Sequence, residues 1–111
     1  MRSDRERLLD ILEAIEKIKQ YTLEGKQAFE TNELIQVWIV RHLQVIGEAA
    51  SRVSIETQNR FPFIPWKRMI GMRHVLVHGY FEIDLDIVWS VIEKDLPPLE
   101  EQIQAALKSI E

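Results

Sequence analysis

The sequence predicts an all-α protein, an up-and-down bundle of four to five helices, and three observations carry that prediction. Apolar residues recur at i+3 and i+4 over most of the chain, as one face of a helix requires. No segment alternates apolar and polar residues over a strand's length, and the glycines Gly25, Gly47, Gly71 and Gly79 are scattered. The breaks between periodic segments are short, and short connections between helices of this length favour antiparallel neighbours.

The first helix starts behind Ser3, which stands to Glu6 at the spacing of a capping box. Leu8, Ile11, Leu12, Ile15, Ile18 and Leu23 give it one apolar face, and it should fade near Gly25. Thr31 or Asn32 caps a second helix with Glu33 in its first turn, running to about Gln58, where Phe61-Pro62 stops it. Leu34, Ile35, Val37, Trp38, Ile39, Val40, Leu43, Val45, Ile46, Ala49 and Ala50 cover nearly its whole circumference, so two faces need cover. In a chain of 111 residues the other helices can enclose the second face or a subunit interface can cover it equally well, and a homodimer through this helix is expected, with opposing pairs such as Trp38 and Ile39 or Val45 and Ile46 on its two faces.

Phe61-Pro62-Phe63-Ile64-Pro65 reads as an extended linker, because each proline biases its predecessor away from helix. Pro65 then opens a third helix that holds Trp66, Met69, Ile70, Val75, Leu76 and Val77 and ends at Gly79. Asp84 caps a fourth helix with Leu85, Ile87, Val88, Val91 and Ile92, which Pro97-Pro98 interrupts before a fifth, rich in Glu100, Glu101, Gln102 and Ala105. Trp38, Trp66 and Trp89 sit within apolar periodicity and are expected in the core.

Composition narrows the function. With 46% apolar and 29% charged residues the chain is ordinary globular material, expected to form one domain over residues 1–111. The lack of cysteine removes disulfides, zinc ribbons and thiol nucleophiles. The opening MRSDRERLLD has no apolar signal core, and no window approaches the roughly 18 uncharged apolar residues of a membrane span, so a cytoplasmic protein without membrane contact is expected. A net charge of -4 argues against a broadly basic nucleic-acid wrap and leaves room for a small local basic site.

Chemistry concentrates in Met72-Arg73-His74-Val75-Leu76-Val77-His78-Gly79-Tyr80. On a helix at about 100° per residue, Arg73 and Tyr80 share a face and His78 lies roughly 140° from Arg73 unless the helix loosens at Gly79. Taken singly, each residue also fits a bland role: a histidine on the last carbonyls, a buried tyrosine, a surface arginine. His74 and His78 have metal-ligand spacing, but only Glu82, Asp84 and Asp86 beyond the turn could complete a site, and Asp84-Leu85-Asp86 reads better as helix capping. No metal and no cofactor is therefore assigned. A nucleophile-elbow pattern is absent.

Arg73, four intervening residues, His78, one residue and Tyr80 form an R-x4-H-x-Y signature, and with it the chain resembles HepT-like proteins of the HEPN superfamily, the toxins of MNT/HEPN toxin-antitoxin systems. Gly47-Glu48-Ala49-Ala50, Ile64-Pro65-Trp66, Gly71-Met72-Arg73 and His78-Gly79-Tyr80 followed by Ile83-Asp84 are similar to recurrent blocks of that family, in order along nearly the whole chain. His74 stands where HEPN proteins commonly carry Asn or Asp, which makes it a candidate supporting residue.

The resemblance implies a HEPN-like bundle and a metal-independent endoribonuclease toxin of the type VII class. It implies a homodimer and a minimal nucleotidyltransferase antitoxin that adenylylates the motif tyrosine, here Tyr80. Such cleavage uses the ribose 2'-OH as nucleophile and needs a base, an acid and a cation for the phosphorane. His78 has the intrinsic pKa for proton transfer and Arg73 the planar fork for phosphate, while a two-fold dimer supplies a second copy of each. The rival expectation is a non-catalytic nucleotide-binding partner subunit of a nucleotidyltransferase, with Arg73 on phosphate and no cleavage.

Overall fold

A computed structural model describes residues 2–73, 77–78 and 82–110, with 77, 78 and 82 as backbone. Helix α1, Asp4–Gln20, starts as its capping box dictates: the Ser3 hydroxyl accepts from the Glu6 amide at 3.1 Å and the Ser3 amide donates to the Glu6 carboxylate at 2.9 Å. It buries Leu8, Ile11, Ala14, Ile15 and Ile18 and stops at Tyr21, earlier than expected. The intervening loop leads to Gly25 at φ 91, a left-handed conformation that suits glycine, and from it springs a short helix, α2, Lys26–Thr31. The periodicity gives no warning of α2, which carries Phe29 into the core against Trp89, ring centroids 5.5 Å apart.

Helix α3, Glu33–Arg52, is capped by Asn32, whose side chain accepts from the Leu34 and Ile35 amides. It ends short of Gln58 because Ser54 is extended and caps a separate helix, α4, Ile55–Arg60. Asp4 fixes that break, accepting from the Ser54 amide at 3.0 Å and from the Ser54 and Thr57 hydroxyls at 2.6 Å each. Burial raises the Asp4 carboxyl's pKa, but these hydrogen bonds outweigh it and hold the group below its ordinary range.

Phe61–Pro65 is a hydrogen-bonded turn and not an extended linker. The Ile64 amide donates to the Phe61 carbonyl at 3.1 Å, and the Trp66 indole donates to the same carbonyl at 3.0 Å. Pro65 caps α5, Trp66–Gly71. The expected run of helix to Gly79 fails: the Met72 amide reaches back to Met69 and the Arg73 amide to Ile70, the tightened bonds of a final turn. Val77–His78 is instead a strand, β1, paired antiparallel with β2, Glu82–Ile83, in the register Val77 with Ile83 and His78 with Glu82. β-Branched Val77 and Ile83 suit that pairing better than a helix interior.

Asp84 caps α6, Leu85–Ser90, through the Ile87 amide at 3.1 Å, as read from the sequence. Pro97-Pro98 does not break the chain there. A π-helical turn, Val91–Asp95, joins α6 to α7, Leu96–Ile110, with the Leu96 amide donating to the Val91 carbonyl. Widening the helix ahead of the prolines relieves the clash and the missing donor that proline imposes on a regular α-helix.

Helix α1 packs along α3 and α7, and α5 packs along α3, around a core from Leu8 and Phe29 to Ile103 and Leu107. The all-α bundle of the sequence reading holds, with the two-residue ribbon as its addition. Trp66 is buried and Trp89 half-buried, but Trp38 is 37% exposed, its indole donating to the Lys17 carbonyl, so it is not a core residue. No helix among the described residues is long and apolar enough to cross a membrane.

Candidate functional site

Arg73 follows the Met72 cap of α5, and α3 is the wall that positions it. Its Nη1 donates to Glu48 Oε2 at 3.1 Å and lies 3.5 Å from the Ser51 hydroxyl, while its buried Nε has no partner among the described residues. Glu48 also accepts from Arg52 Nε at 2.9 Å. Arg52 first and Arg73 second hold the Glu48 carboxyl below the usual carboxylate range, so one carboxylate anchors two guanidiniums.

That anchored group opens into a groove of about 530 Å³ between α1 and α3. Arg7 and Asp10 come from α1, Arg41, Val45, Glu48 and Arg52 from α3, and Arg73 closes one side. On α3 the residues 41, 45, 48 and 52 fall on one helical face, so the charged stripe is set by sequence spacing. Four arginines against two acids make this a basic locus in a chain of net charge -4.

Of the motif residues, Arg73 alone has a described side chain. His78 lies in β1, its backbone paired with Glu82, and it does not share a helix with Arg73. His74 and Tyr80 lie outside the described residues. Among the described residues no group of three His, Cys, Asp or Glu could hold a metal ion. The third histidine, His42, is not part of the groove: it is 9% exposed, edge-on to Trp38 at 4.5 Å, with no partner for Nε2 among the described residues. Burial first, then Lys17 and Arg41, push its pKa down. Glu48, Arg7, Arg41 and Arg52 were not singled out from the sequence as site residues; the spacing of 41, 48 and 52 carried a signal, whereas Arg7 reaches the groove only through tertiary packing.

A family model described as "Ribonuclease HepT-like" matches residues 11–106, from within α1 to within α7. The chain belongs to that family. "Putative RNase MJ1380" of Methanocaldococcus jannaschii is 33% identical over 98 residues, 87% of this chain and 90% of that protein. "Probable ribonuclease HepT" of Thermococcus cleftensis is 34% identical over 108 residues, 96% of this chain and 98% of its own length. A longer relative, "Gamma-glutamylcyclotransferase and putative RNase MJ0434" of Methanocaldococcus jannaschii, is 35% identical over 102 residues, 91% of this chain but 46% of that protein. No solved structure matches the chain. The HepT-like match includes Arg41, Glu48, Arg52 and Arg73, while Arg7 and Asp10 precede it.

Proposed function

We propose that residues 1–111 form one HepT-like domain acting as a metal-independent endoribonuclease toxin in the cytoplasm. The observation that carries this reading is Arg73, anchored by Glu48 at a basic groove in a chain of the HepT-like family. Arg73 grips the non-bridging oxygens of the scissile phosphate with its planar fork and stabilises the phosphorane. One His78 takes the proton of the ribose 2'-OH, which attacks the adjacent phosphorus. The second His78 gives a proton to the departing 5'-oxygen, leaving a 2',3'-cyclic phosphate. His74 supports the site, and Tyr80 receives AMP from a nucleotidyltransferase antitoxin.

Two copies of His78 require a homodimer. The outward half of α3 supports one: Leu34 is 83%, Val37 54% and Trp38 37% exposed, beside Tyr21 and Leu23 in a groove of about 1090 Å³. Ile39 and Ile46 are fully buried within their own chain, so of the opposing pairs only Trp38 joins the exposed apolar face, while half-buried Val45 lines the groove beside Arg73. Apolar exposure of this extent on one helix face is characteristic of an interface.

The test is cleavage of single-stranded RNA in excess EDTA, with product ends analysed. Cyclic-phosphate products are expected, with a bell-shaped pH profile, and His78→Ala and Arg73→Ala should each lose about 100-fold or more while helicity is kept. Cleavage stopped by EDTA and restored by zinc would reassign His74 and His78 as ligands. Binding of RNA without cleavage would make the chain a non-catalytic partner subunit.

A further inference from the structure

The charges in the groove do not cancel locally. Asp10 is held by Arg2 from outside the lining, Nε to Oδ2 at 2.7 Å and Nη2 to Oδ1 at 2.6 Å. Glu48 is shared between Arg52 and Arg73. Both acids of the lining are thus already engaged; Arg7 and Arg41 form no salt bridge among the described residues, and the charge of Arg7 acts at longer range on Asp4, outside the lining. A cationic surplus is left facing the groove from both banks, Arg7 on α1 and Arg41 on α3. Its floor is half-buried Val45 and buried Ala49, and none of the lining residues is aromatic.

We propose that Arg7 and Arg41 form a phosphate track for single-stranded RNA, leading along α3 past Arg52 to Arg73; the assignment rests on the ribonuclease reading of Arg73. From Arg41 to Arg52 the helix rises about 16 Å. A stacked strand advances about 3.4 Å along its axis per nucleotide, so the track spans roughly four to five nucleotides. Phosphates on this path meet guanidiniums at the Arg7/Arg41 end that form no salt bridge among the described residues, so no carboxylate of the lining must be displaced there. With apolar floor residues and no aromatic side chain among the described lining residues, the Arg7/Arg41 end of the track binds through charge and is indifferent to base identity. A basic track confined to one groove reconciles an RNA substrate with a net charge of -4.

The experiment uses the full chain carrying His78→Ala and a fluorescein-labelled single-stranded RNA of mixed sequence, with affinity measured by anisotropy from low to high salt. The Arg7→Ala/Arg41→Ala double variant should lower the slope of log K against log salt by about 1.4 and weaken binding about 25-fold at 0.1 M salt. Arg7→Lys/Arg41→Lys should restore most of that slope, since lysine contacts phosphate as a point charge; recovery of this kind separates a charge role from a structural one. An unchanged slope in the alanine variant with native helicity overturns the track, as does a wild-type chain that binds no RNA. Loss of grip on the nucleotidyltransferase with RNA binding intact would give the groove to a protein partner and overturns it as well. The same chain with His78 intact separates the two readings. Groove-dependent RNA binding without cleavage refutes the ribonuclease and leaves the track; cleavage with an indifferent salt slope does the reverse.

Discussion

Gly47 on α3 lies so close to Arg73 that a Cβ at position 47 would stand 2.6 Å from Arg73 Cγ, 2.9 Å from the Met69 carbonyl oxygen and 3.0 Å from the Arg73 amide nitrogen. A side-chain methylene can swing aside, but the carbonyl and the amide belong to the end of α5 and the turn after it. Any side chain at 47 must push that backbone off α3. Gly47 therefore sets how near α5 comes to α3 and, through that, where the Arg73 guanidinium meets Glu48.

Gly47→Ala is expected to disable cleavage more than folding. Alanine favours the helix interior by up to about 1 kcal/mol, against an overpacking cost of roughly 1–3 kcal/mol, so the net loss of stability should be small. A displacement of Arg73 by about 1 Å is enough for a rate loss on the order of 100-fold. Denaturant unfolding and RNA cleavage on the same preparation check this; full activity in a stable Gly47→Ala protein would refute the placement of Arg73 by Gly47.

The contact explains what could and could not be read in advance. Ser3, Asn32 and Asp84 were legible as caps because capping is decided within three or four residues of the chain. Arg73 stands out in the sequence only through its spacing to His78 and Tyr80. The helix from Pro65 to Gly79 was misread because the apolar spacing continues through Val75 and Val77, while Val77 is claimed by a cross-strand partner at Ile83. Helix α2 is too short to show a period, and Pro97-Pro98 read as a break because sequence does not reveal the π-helical turn ahead of it. The groove escaped because Arg7 and Arg41 are remote in sequence and α1 against α3 brings them together.

His42 predicts a stability step at mildly acid pH. Its folded pKa lies below the ordinary 6.5, so between the folded and unfolded values the unfolded chain binds more protons. The associated stability is complete above pH 6.5 and is lost as pH falls through the folded value. His42→Leu removes the step along with the orphaned Nε2, so its advantage in Tm over the wild type should be larger at pH 5.5 than at pH 8. An equal difference at both pH values would rule His42 out as the source.

Asp4 acts at lower pH and can be told apart. Its folded pKa is below the ordinary 3.8, so its contribution is present above that value and is lost as pH falls through the folded one. Asp4→Ala strips the acceptor from Ser54 and Thr57 at the α3/α4 break and should cost about 1–3 kcal/mol at pH 7, with the deficit shrinking below pH 3.8. Urea unfolding at both pH values measures it.

The outward apolar face of α3 predicts the oligomeric state. Leu34→Glu changes a residue that is 83% exposed and so leaves the monomer's core alone. Light scattering should give about twice 13.1 kDa for the wild type and a mass near 13.1 kDa for the variant at micromolar concentration. Cleavage should fall with the dimer, because the proposed composite site takes His78 from both chains. A fully active monomer would sink the composite site.

Tyr80 is the expected control point, two residues beyond His78 in the motif. AMP on its hydroxyl would add a phosphodiester anion and a bulky base to the same R-x4-H-x-Y motif as Arg73, so inhibition by charge competition with RNA phosphate and by volume together is the expected outcome. The phenol takes no part in the proton transfers assigned to His78. Tyr80→Phe should therefore keep substantial ribonuclease activity and escape an adenylylating antitoxin. Mass spectrometry after co-expression with a cognate nucleotidyltransferase decides it: AMP-sized additions should map to the peptide containing Tyr80. An unmodified peptide with complete neutralisation would mean that the antitoxin masks the site by binding alone.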